Sequence, residues 1–401
     1  MYGRTPLEYD LTDEQARMRA AAREFAAEHL APGAAERDRA EEFPYELFRK
    51  FGELGWVGYT FPEKYGGSDG SFLAYTTMVE EISRVDASAA LVMSLNAALV
   101  ISPIMIGGDE EQKMRFLPPL VRGEKLGCFC LTEPNAGSDA SNLQTIAVPD
   151  GDEFVLNGEK IFIQHGNAAE LAVVACRIPP RPDARPRISV LVVDDLKNTP
   201  GVEQVKLANK MGIRNATTGR IFFRDVRVPK ENLLGKVGVG FRIVLQTLEG
   251  GRIGIAAQAL GIAQGALDRA LEWACTRVQF SQPIIKLGPI QSMIAKAATE
   301  VEAARGMIYR AALARERGEE TGVLAAMAKL YASRVANRVA YTAVQVHGGY
   351  GYIGDVGDVD RYYRDARITE IYEGTSEIQE YVIALGLAKW QEQRLGERRS
   401  E

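Results

Sequence analysis

Apolar residues change their spacing twice along this chain. Up to about residue 122 they recur at the three- and four-residue intervals of amphipathic helices, and residues 12–15 (TDEQ) have capping-box spacing before the first of these helices. Pro44 is suited to open a second helix that ends near Gly55. Further helices are predicted over residues 72–83, 88–106 and 109–121. The first part of the chain is therefore predicted to be a helical bundle.

From Leu126 the spacing shortens to two, which is typical of strands. Strands are predicted around residues 154–156, 171–176, 188–193 and 220–228. Turn signals at 149–152 (PDGD) and at Asn157-Gly158 are expected to close hairpins. After Pro229 helical spacing returns over residues 240–276, 287–317 and 321–346, and again from Thr375. The pattern therefore predicts the element order helices, strands, helices.

This order predicts an α+β protein in which the two helical parts pack into one bundle beside a β-domain. We expect an N-terminal helical domain at residues 1–124, a middle β-barrel or sandwich domain at 125–232, and a C-terminal four-helix-bundle domain at 233–401. At 401 residues the chain is long enough for several packed domains.

Composition and charge narrow the function. The net charge is −5 with acidic and basic residues interleaved, so no basic face for nucleic acid is expected. The N-terminus has no basic segment followed by an apolar run, and the apolar stretch 87–106 is interrupted by Ser, Asn and Pro. We therefore expect a cytoplasmic protein without a membrane anchor. The four cysteines match no zinc spacing and are expected to be buried thiols, with Cys128 and Cys130 on one face of a strand.

Two segments could carry chemistry. Residues 131–139 (LTEPNAGSD) follow a predicted buried strand and offer hydroxyls and backbone N–H groups that can bind a heterocycle or a phosphate, although a plain turn is an equal alternative. Glu373 lies in an Ile-Tyr-Glu-Gly-Thr loop before the last helix, where Thr375 can cap. An enclosed carboxylate there could serve as a general base, whereas composition alone favours a solvated loop glutamate. His165 and His347 each precede a glycine and could be ligand contacts or structural residues.

Six ordered motifs are spread along the chain, namely FPEKYGG at 61–67, LTEPNAGSD at 131–139, KMGIR at 210–214, RVQF at 277–280, QVHGGYG at 345–351 and IYEGT at 371–375. Together they resemble the motifs of the acyl-CoA dehydrogenase family over essentially the whole chain, and are most similar to the short-chain or butyryl-CoA enzymes. The resemblance implies the α–β–α fold and an FAD cofactor between the β-domain and the C-terminal helices.

The resemblance also implies the residues that contact FAD. The flavin would be bound by Thr132 and the backbone around Phe129 and Leu131, and backed by the strand Phe162-Ile163-Gln164. Ser138 would lie near the pyrophosphate or the CoA arm. The remaining implied contacts are Arg277, Phe280, Gln345, Gly348 and Gly349, which reach the FAD of a neighbouring subunit, and Thr375 and Glu377 beside the base. A homotetramer built as a dimer of dimers follows from this arrangement.

For catalysis the resemblance implies that Glu373 removes the α-proton of an acyl-CoA while the β-hydrogen leaves as hydride to flavin N5, which gives the trans-2-enoyl-CoA. The thioester oxygen would bond the Glu373 N–H and a ribityl hydroxyl. Glu249, Arg252, Ser138 and Gly374 would contact the substrate, although Glu249 and Arg252 could be an ordinary helix pair. Some relatives carry the base immediately before Arg252, where this chain has Gly251. An electron-transferring flavoprotein would accept the electrons in a β-oxidation type of fatty-acid metabolism.

Three departures from the family pattern bear on these expectations. Gln164 replaces the threonine whose hydroxyl bonds the flavin, and its amide could donate instead. Ser281 replaces a glycine, and Glu380 replaces an arginine. Ala90 stands where glutaryl-CoA enzymes carry an arginine for the distal carboxylate, so a dicarboxylyl-CoA substrate is disfavoured. The segments 93–96 (MSLN) and 252–256 (RIGIA) resemble those of short-chain enzymes, so short or medium acyl chains are expected, with branched or cyclic chains open. A flavin oxidase or monooxygenase, and a non-catalytic scaffold protein, are the alternatives on the same fold.

Overall fold

The computed structural model describes residues 11–42, 44–180 and 185–400, with side chains up to residue 395. Helices fill the first third of the chain, and the predicted ones are present. They are α1 (Asp13–Phe25), α2 (Ala34–Ala40), α3 (Tyr45–Glu53), α4 (Phe72–Ser83), α5 (Ala87–Leu95), α6 (Ser102–Gly107) and α7 (Glu110–Val121). The predicted capping box begins α1, because Thr12 Oγ1 accepts from Gln15 N at 3.3 Å and Gln15 Oε1 accepts from Thr12 N at 3.0 Å.

The helical segment Ala87–Gly107 is long and apolar enough to cross a membrane, with a mean hydropathy of 2.1. The Ser, Asn and Pro residues that interrupt this segment therefore do not make it too polar for a membrane span, contrary to the argument from sequence. However, 78% of its most apolar window is buried inside the protein, as expected for a core helix. It is the one such segment in the part of the chain that the structure describes.

The middle of the chain forms one curled seven-stranded sheet. Its strands are β1 (Gly127–Cys130), β2 (Ile146–Asp150), β3 (Glu153–Gln164), β4 (Leu171–Ile178), β5 (Arg187–Asp194), β6 (Val202–Leu207) and β7 (Thr218–Pro229). The strand order is β1-β4-β2-β3-β7-β6, and β5 pairs with β4. The predicted turn at 149–152 does close the β2–β3 hairpin.

The second predicted hairpin turn, Asn157-Gly158, is wrong. Both residues lie inside β3, where the pairing with β7 shifts register. Gly158 has φ +154°, and a Cβ there would lie 2.4 Å from Thr145 Oγ1, so glycine is required by a bulge in a strand rather than by a turn.

The expectation that all four cysteines are buried fails at one of them, because Cys275 is exposed, while Cys128, Cys130 and Cys176 are buried. Cys275 follows the buried Ala274 around its helix and points away from the core.

The last part of the chain is again helical. Its elements are α8 (Gly240–Thr276), the short strands β8 (Val278–Gln279) and β9 (Gln282–Pro283), α9 (Gly288–Glu316), α10 (Gly322–His347), α11 (Gly349–Tyr352), α12 (Val359–Ile368) and α13 (Ser376–Ser400). The two helical parts pack into one body, as predicted. Gly261 and Gly265 of α8 permit this, since a Cβ on either would meet the end of α4 at 2.4 Å or less.

Candidate active site

Glu373 lies in the loop between α12 and α13, where the backbone is held in an unusual conformation. Glu373 has φ +50° and Gly374 has φ +92°, so two successive residues are left-handed. Buried side chains bind the carbonyl groups of this turn. Lys329 Nζ on α10 donates to Gly374 O at 2.6 Å, and Gln379 Nε2 donates to Gly374 O at 2.9 Å and to Glu373 O at 3.3 Å.

The Glu373 carboxyl points at α8 and touches Gly251. A Cβ on Gly251 would lie 2.0 Å from Glu373 Oε2, so only glycine leaves room for the carboxyl. Oε2 is shielded from solvent and has no hydrogen-bond partner, and the same is true of Nε of the buried Arg252. Buried polar atoms without partners are rare in folded proteins and indicate places where a ligand can bind.

The surroundings of Glu373 change its proton affinity. Burial raises the pKa of Glu373 to about 7, and the positive charges of Lys329 and Arg252 oppose this rise. A carboxyl with this pKa is ionised in a substantial fraction of molecules near neutral pH, and its carboxylate is more basic than that of a solvated glutamate. The solvated-loop alternative for Glu373 is therefore wrong in this structure, and the arrangement can perform general base chemistry.

A polar pair fills the helical core directly behind the Glu373 turn. The hydroxyl of Tyr372 donates to Gln258 Oε1, and Gln258 Nε2 donates to Ala87 O at 2.8 Å. Gln258 is fully buried and lies two turns after Gly251 on α8. The pair thus connects the Glu373 loop with α8 and α5.

At one edge of the sheet the ends of β1 and β3 bring several predicted cofactor residues together. Thr132 O accepts from Ile161 N at 3.0 Å, and Leu131 O accepts from Lys160 Nζ at 3.0 Å. Lys160 also pairs with Glu133 at 2.8 Å, and both side chains are buried. Glu133 in turn accepts from Thr145 N at 2.9 Å. The buried Lys160–Glu133 ion pair therefore holds the start of the 131–139 segment against the sheet.

The end of β3 presents an unpaired donor at this same edge. Gln164 Oε1 accepts from the Thr218 hydroxyl at 3.3 Å, whereas its Nε2 is buried without a partner. Phe162 is 68% exposed and left-handed, while Ile163 is buried, as is Phe129 on β1. His165 is buried, with Nδ1 3.3 Å from Gly127 O, and burial lowers its pKa to about 4. These contacts favour the structural alternative for His165.

The predicted contacts at the end of α8 and α10 line one pocket of about 470 Å³. Among its lining residues are Trp273, Arg277, Gln345, His347, Gly348, Gly349 and Tyr350. The rings of Trp273 and His347 stack at 5.0 Å, and the Arg277 guanidinium lies 5.8 Å from the Trp273 ring centre. A cationic group among aromatic rings suits an electron-rich heterocycle or a phosphate. His347 therefore lies at a pocket, whereas Phe280, at 85% exposed, projects away from the chain.

Some of the predicted site residues contact neither the Glu373 carboxyl nor the pocket at Arg277. Ser138 and Glu377 are exposed on the surface of the chain. Glu249 accepts from the Thr321 hydroxyl at 2.9 Å, and Thr375 Oγ1 accepts from Ile378 N at 3.4 Å as a helix cap. The unexplained Glu380 forms an ion pair with Arg334.

Sequence reasoning missed Lys329 and Gln379, which bind the Glu373–Gly374 turn, and Gln258, which binds the adjacent Tyr372. Each of the three lies on a helix at a position where the apolar spacing predicts a buried residue, so a polar residue at a predicted core position was the signal that could have found them. A lysine in the apolar run around Ala328 is unusual, because a buried ammonium is costly unless it has a specific partner.

Family models match nearly the whole chain. Residues 12–124 match the N-terminal domain of acyl-CoA dehydrogenase, residues 128–226 match its middle domain, and residues 238–388 match its C-terminal domain.

Individual relatives agree with the family models. A short-chain specific acyl-CoA dehydrogenase of Clostridium acetobutylicum is 44% identical over 94% of this chain and 99% of its own length. The structure of butyryl-CoA dehydrogenase from Megasphaera elsdenii has a TM-score of 0.91 at 44% identity, covering 95% of this chain and 100% of that one. A chain from a structure reported for the electron transferring flavoprotein of Acidaminococcus fermentans also has a TM-score of 0.91 at 44% identity, covering 95% and 99%.

Proposed function

The chain belongs to the acyl-CoA dehydrogenase family and is an FAD flavoprotein that oxidises acyl-CoA thioesters, and from this premise we propose that Glu373 is the base that removes the α-proton. The observation that carries the proposal is the enclosed Glu373 carboxyl against Gly251, with Oε2 unpaired and burial raising its pKa to about 7. Gly251 also supports this choice, because it occupies the position at which some relatives carry the base, and glycine has no carboxylate.

The same turn offers a donor for the substrate carbonyl. The backbone N–H of Glu373 has no acceptor among the described residues, and the left-handed turn fixes its direction. We propose that this N–H donates to the thioester oxygen, where negative charge develops as the α-proton leaves. Gly374 follows without a side chain, which keeps the approach to this N–H open.

The β-domain edge suits the flavin ring. The polar edge of FAD would be held by the carbonyl and N–H groups around Phe129 and Leu131, by the Thr132 hydroxyl and by the unpaired Nε2 of Gln164, with Phe162 and Ile163 behind the ring. The unpaired Nε2 of Gln164 supports the idea that this amide replaces the missing threonine hydroxyl. Bound FAD supplies the acceptor for the β-hydride. The chain's own groups at this edge orient the cofactor and exclude water from it.

We assign the pocket at Arg277, Gln345, Gly348 and Gly349 to the FAD of a neighbouring subunit, with Phe280 reaching across. Thr375 and Glu377 would lie near FAD beside the base. Three residues that line this pocket, Tyr350, Ile353 and Val356, are exposed as well, and such a patch of exposed apolar side chains supports an association. The assembly we propose is a homotetramer built as a dimer of dimers.

For the substrate we propose a short acyl chain, with Glu249, Arg252, Ser138 and Gly374 contacting the CoA side. The short-chain relatives support this choice. An electron-transferring flavoprotein is the acceptor we propose, and the cytoplasm the compartment. The oxidase alternative is not favoured by these relatives.

The test is an anaerobic titration of the purified enzyme with acyl-CoAs of increasing chain length. We expect the flavin absorbance of the wild type to bleach with short acyl-CoAs, and Glu373→Gln to bind the same thioesters without bleaching. Bleaching of Glu373→Gln at the wild-type rate would disprove the base assignment. If the wild type contained bound flavin and none of the acyl-CoAs bleached it, the substrate class itself would be wrong.

A further inference from the structure

Lys329 is the group that touches the Glu373 turn from α10. Its side chain is fully buried, among alanines such as Ala325 and Ala328. Its hydrogen-bond partner is a backbone carbonyl, Gly374 O, rather than a carboxylate. A lysine buried in this way costs free energy, so a core position of this kind is expected to hold lysine only where the ammonium has a use.

The Glu373–Gly374 turn requires support of this kind. Left-handed backbone at a residue with a side chain is unfavourable and persists only where its surroundings hold it. Lys329 and Gln379 together supply the three hydrogen bonds to the carbonyls of the turn. The two groups differ in one respect, because Lys329 carries a charge and Gln379 does not.

We propose that Lys329 is a positioning residue for Glu373: its ammonium clamps the Glu373–Gly374 turn, and its positive charge favours the ionised carboxylate that a base must be before it accepts a proton. This inference rests on the proposed function of Glu373. It assigns to one buried side chain both the geometry and the ionisation of the base.

The charges around the carboxyl agree with this role. Burial raises the pKa of Glu373, and Lys329 is the largest opposing influence, ahead of Arg252 on α8. Burial lowers the pKa of Lys329 to about 8, with Glu373, Glu370 and Glu377 opposing and Arg252 reinforcing the change. Lys329 therefore remains mostly an ammonium at neutral pH. Tyr372, whose pKa burial raises, stays neutral and adds no charge.

Four variants of the FAD-loaded full chain separate the clamp from the charge. Lys329→Met removes both, Lys329→Gln removes the charge and keeps a donor, and Lys329→Arg keeps the charge. Gln379→Leu removes hydrogen bonds to the carbonyls of the turn without a change in charge. The Glu373 carboxyl is titrated by infrared difference spectroscopy, with Glu373→Gln used to assign its band. The rate of flavin reduction by a short acyl-CoA is measured over the same pH range. Flavin content and melting temperature show that each variant is folded.

We expect Lys329→Met and Lys329→Gln to raise the Glu373 pKa by about one pH unit or more, as loss of a nearby opposite charge does. Flavin reduction at pH 7 should then fall roughly fivefold through the smaller carboxylate fraction, and this part should be recovered at higher pH. Gln379→Leu should lower the rate at every pH and leave the pKa unchanged. Lys329→Arg should keep the wild-type pKa.

Two results would overturn the proposal. In the first, Lys329→Met and Lys329→Gln fold, bind flavin and leave the Glu373 pKa unchanged. In the second, Gln379→Leu raises this pKa as much as Lys329→Met does, so that the turn and not the charge is responsible. The infrared titration reports on the carboxyl whether or not it is the base. Failure of the base assignment would instead show as normal turnover by Glu373→Gln.

Discussion

At the scale of single residues, the space that the Glu373 carboxyl needs is supplied by the missing side chain of Gly251. Gly251→Ala would place a Cβ 2.0 Å from Oε2 and force the carboxyl out of its position. We expect flavin reduction by acyl-CoA to slow at least about tenfold, because small displacements of a catalytic group cost this much or more. The matched control is Gly254→Ala on the same helix, where a Cβ meets no atom within 4 Å. Equal losses in the two variants, measured at saturating substrate, would contradict this explanation.

The proton affinity of Glu373 also has a consequence for stability. Its pKa is about 7 in the folded protein and near 4.5 when solvated, so the folded state binds the proton more tightly. This contribution to stability is fully present below about pH 4.5 and is lost as the pH rises to 7 and above. Glu373→Gln, which cannot ionise, should therefore be more stable than the wild type at pH 8, by on the order of 1 to 3 kcal/mol.

Denaturant unfolding of both proteins at pH 8 and at pH 5 measures this difference. The gain should be much smaller at pH 5, where the wild-type carboxyl is largely protonated. A gain that is the same at both pH values would mean that ionisation of Glu373 is not its cause.

The residues of the site differ in how far the sequence predicts them. The ordered motifs single out Glu373 as the proposed base, but by composition a loop glutamate is more often solvated. The carboxyl is enclosed by Gly251 on α8 and the turn is held by Lys329 on α10. Helix packing brings these residues together, and local sequence patterns do not predict that packing. Gln164 is an intermediate case. Its proposed place beside the flavin comes from the motif, whereas the free Nε2 depends on the tertiary contact of its Oε1 with Thr218.

At the scale of elements, the helices were predictable because their apolar spacing and caps are local. The long predicted helices α8 and α10 differ from those observed by at most a residue at either end. Asn157-Gly158 shows the limit of such signals. The same dipeptide suits a hairpin turn and a strand bulge, and the choice is made by the neighbouring strand β7 and by Thr145, which lies beyond the hairpin.

The packing of α4 against α9 depends on a buried ionic cluster. Glu80 accepts from Arg305 at 3.0 and 3.1 Å and from the Tyr309 hydroxyl at 2.8 Å, and both Glu80 and Arg305 are buried. Glu80→Ala would leave the Arg305 guanidinium buried without this carboxylate. We expect the free energy of unfolding to fall by about 3 to 5 kcal/mol.

The control for this prediction is an exposed ion pair. Glu203 and Arg224 are 50% and 63% exposed, so Glu203→Ala should cost less than about 1 kcal/mol. Chemical denaturation of both variants with flavin bound gives the comparison. If the two substitutions cost the same, the buried cluster contributes no more to stability than a surface pair.

At the scale of the whole molecule, the pocket around Arg277 has two proposed functions, to bind FAD and to join subunits. In Arg277→Ala the guanidinium near the Trp273 and Tyr350 rings, at 5.8 and 5.5 Å from their centres, is lost. If the pocket receives a neighbour's FAD, this single change should lower flavin affinity about tenfold or more and shift the assembly toward smaller species. The two effects should be linked, because each FAD would bridge two chains, and linkage of this kind makes assembly depend on ligand.

Sedimentation velocity over a series of protein concentrations, with and without added FAD, tests this linkage. Added FAD should restore the larger species of Arg277→Ala, and it should have little effect on Arg224→Ala, in which an exposed arginine of the β-domain is removed. An Arg277→Ala protein that loses flavin but keeps the wild-type assembly would mean that the pocket binds cofactor without joining subunits. One that keeps its flavin and dissociates would make the pocket a contact surface alone. Loss of both, reversed together by FAD, is the outcome that a shared cofactor requires.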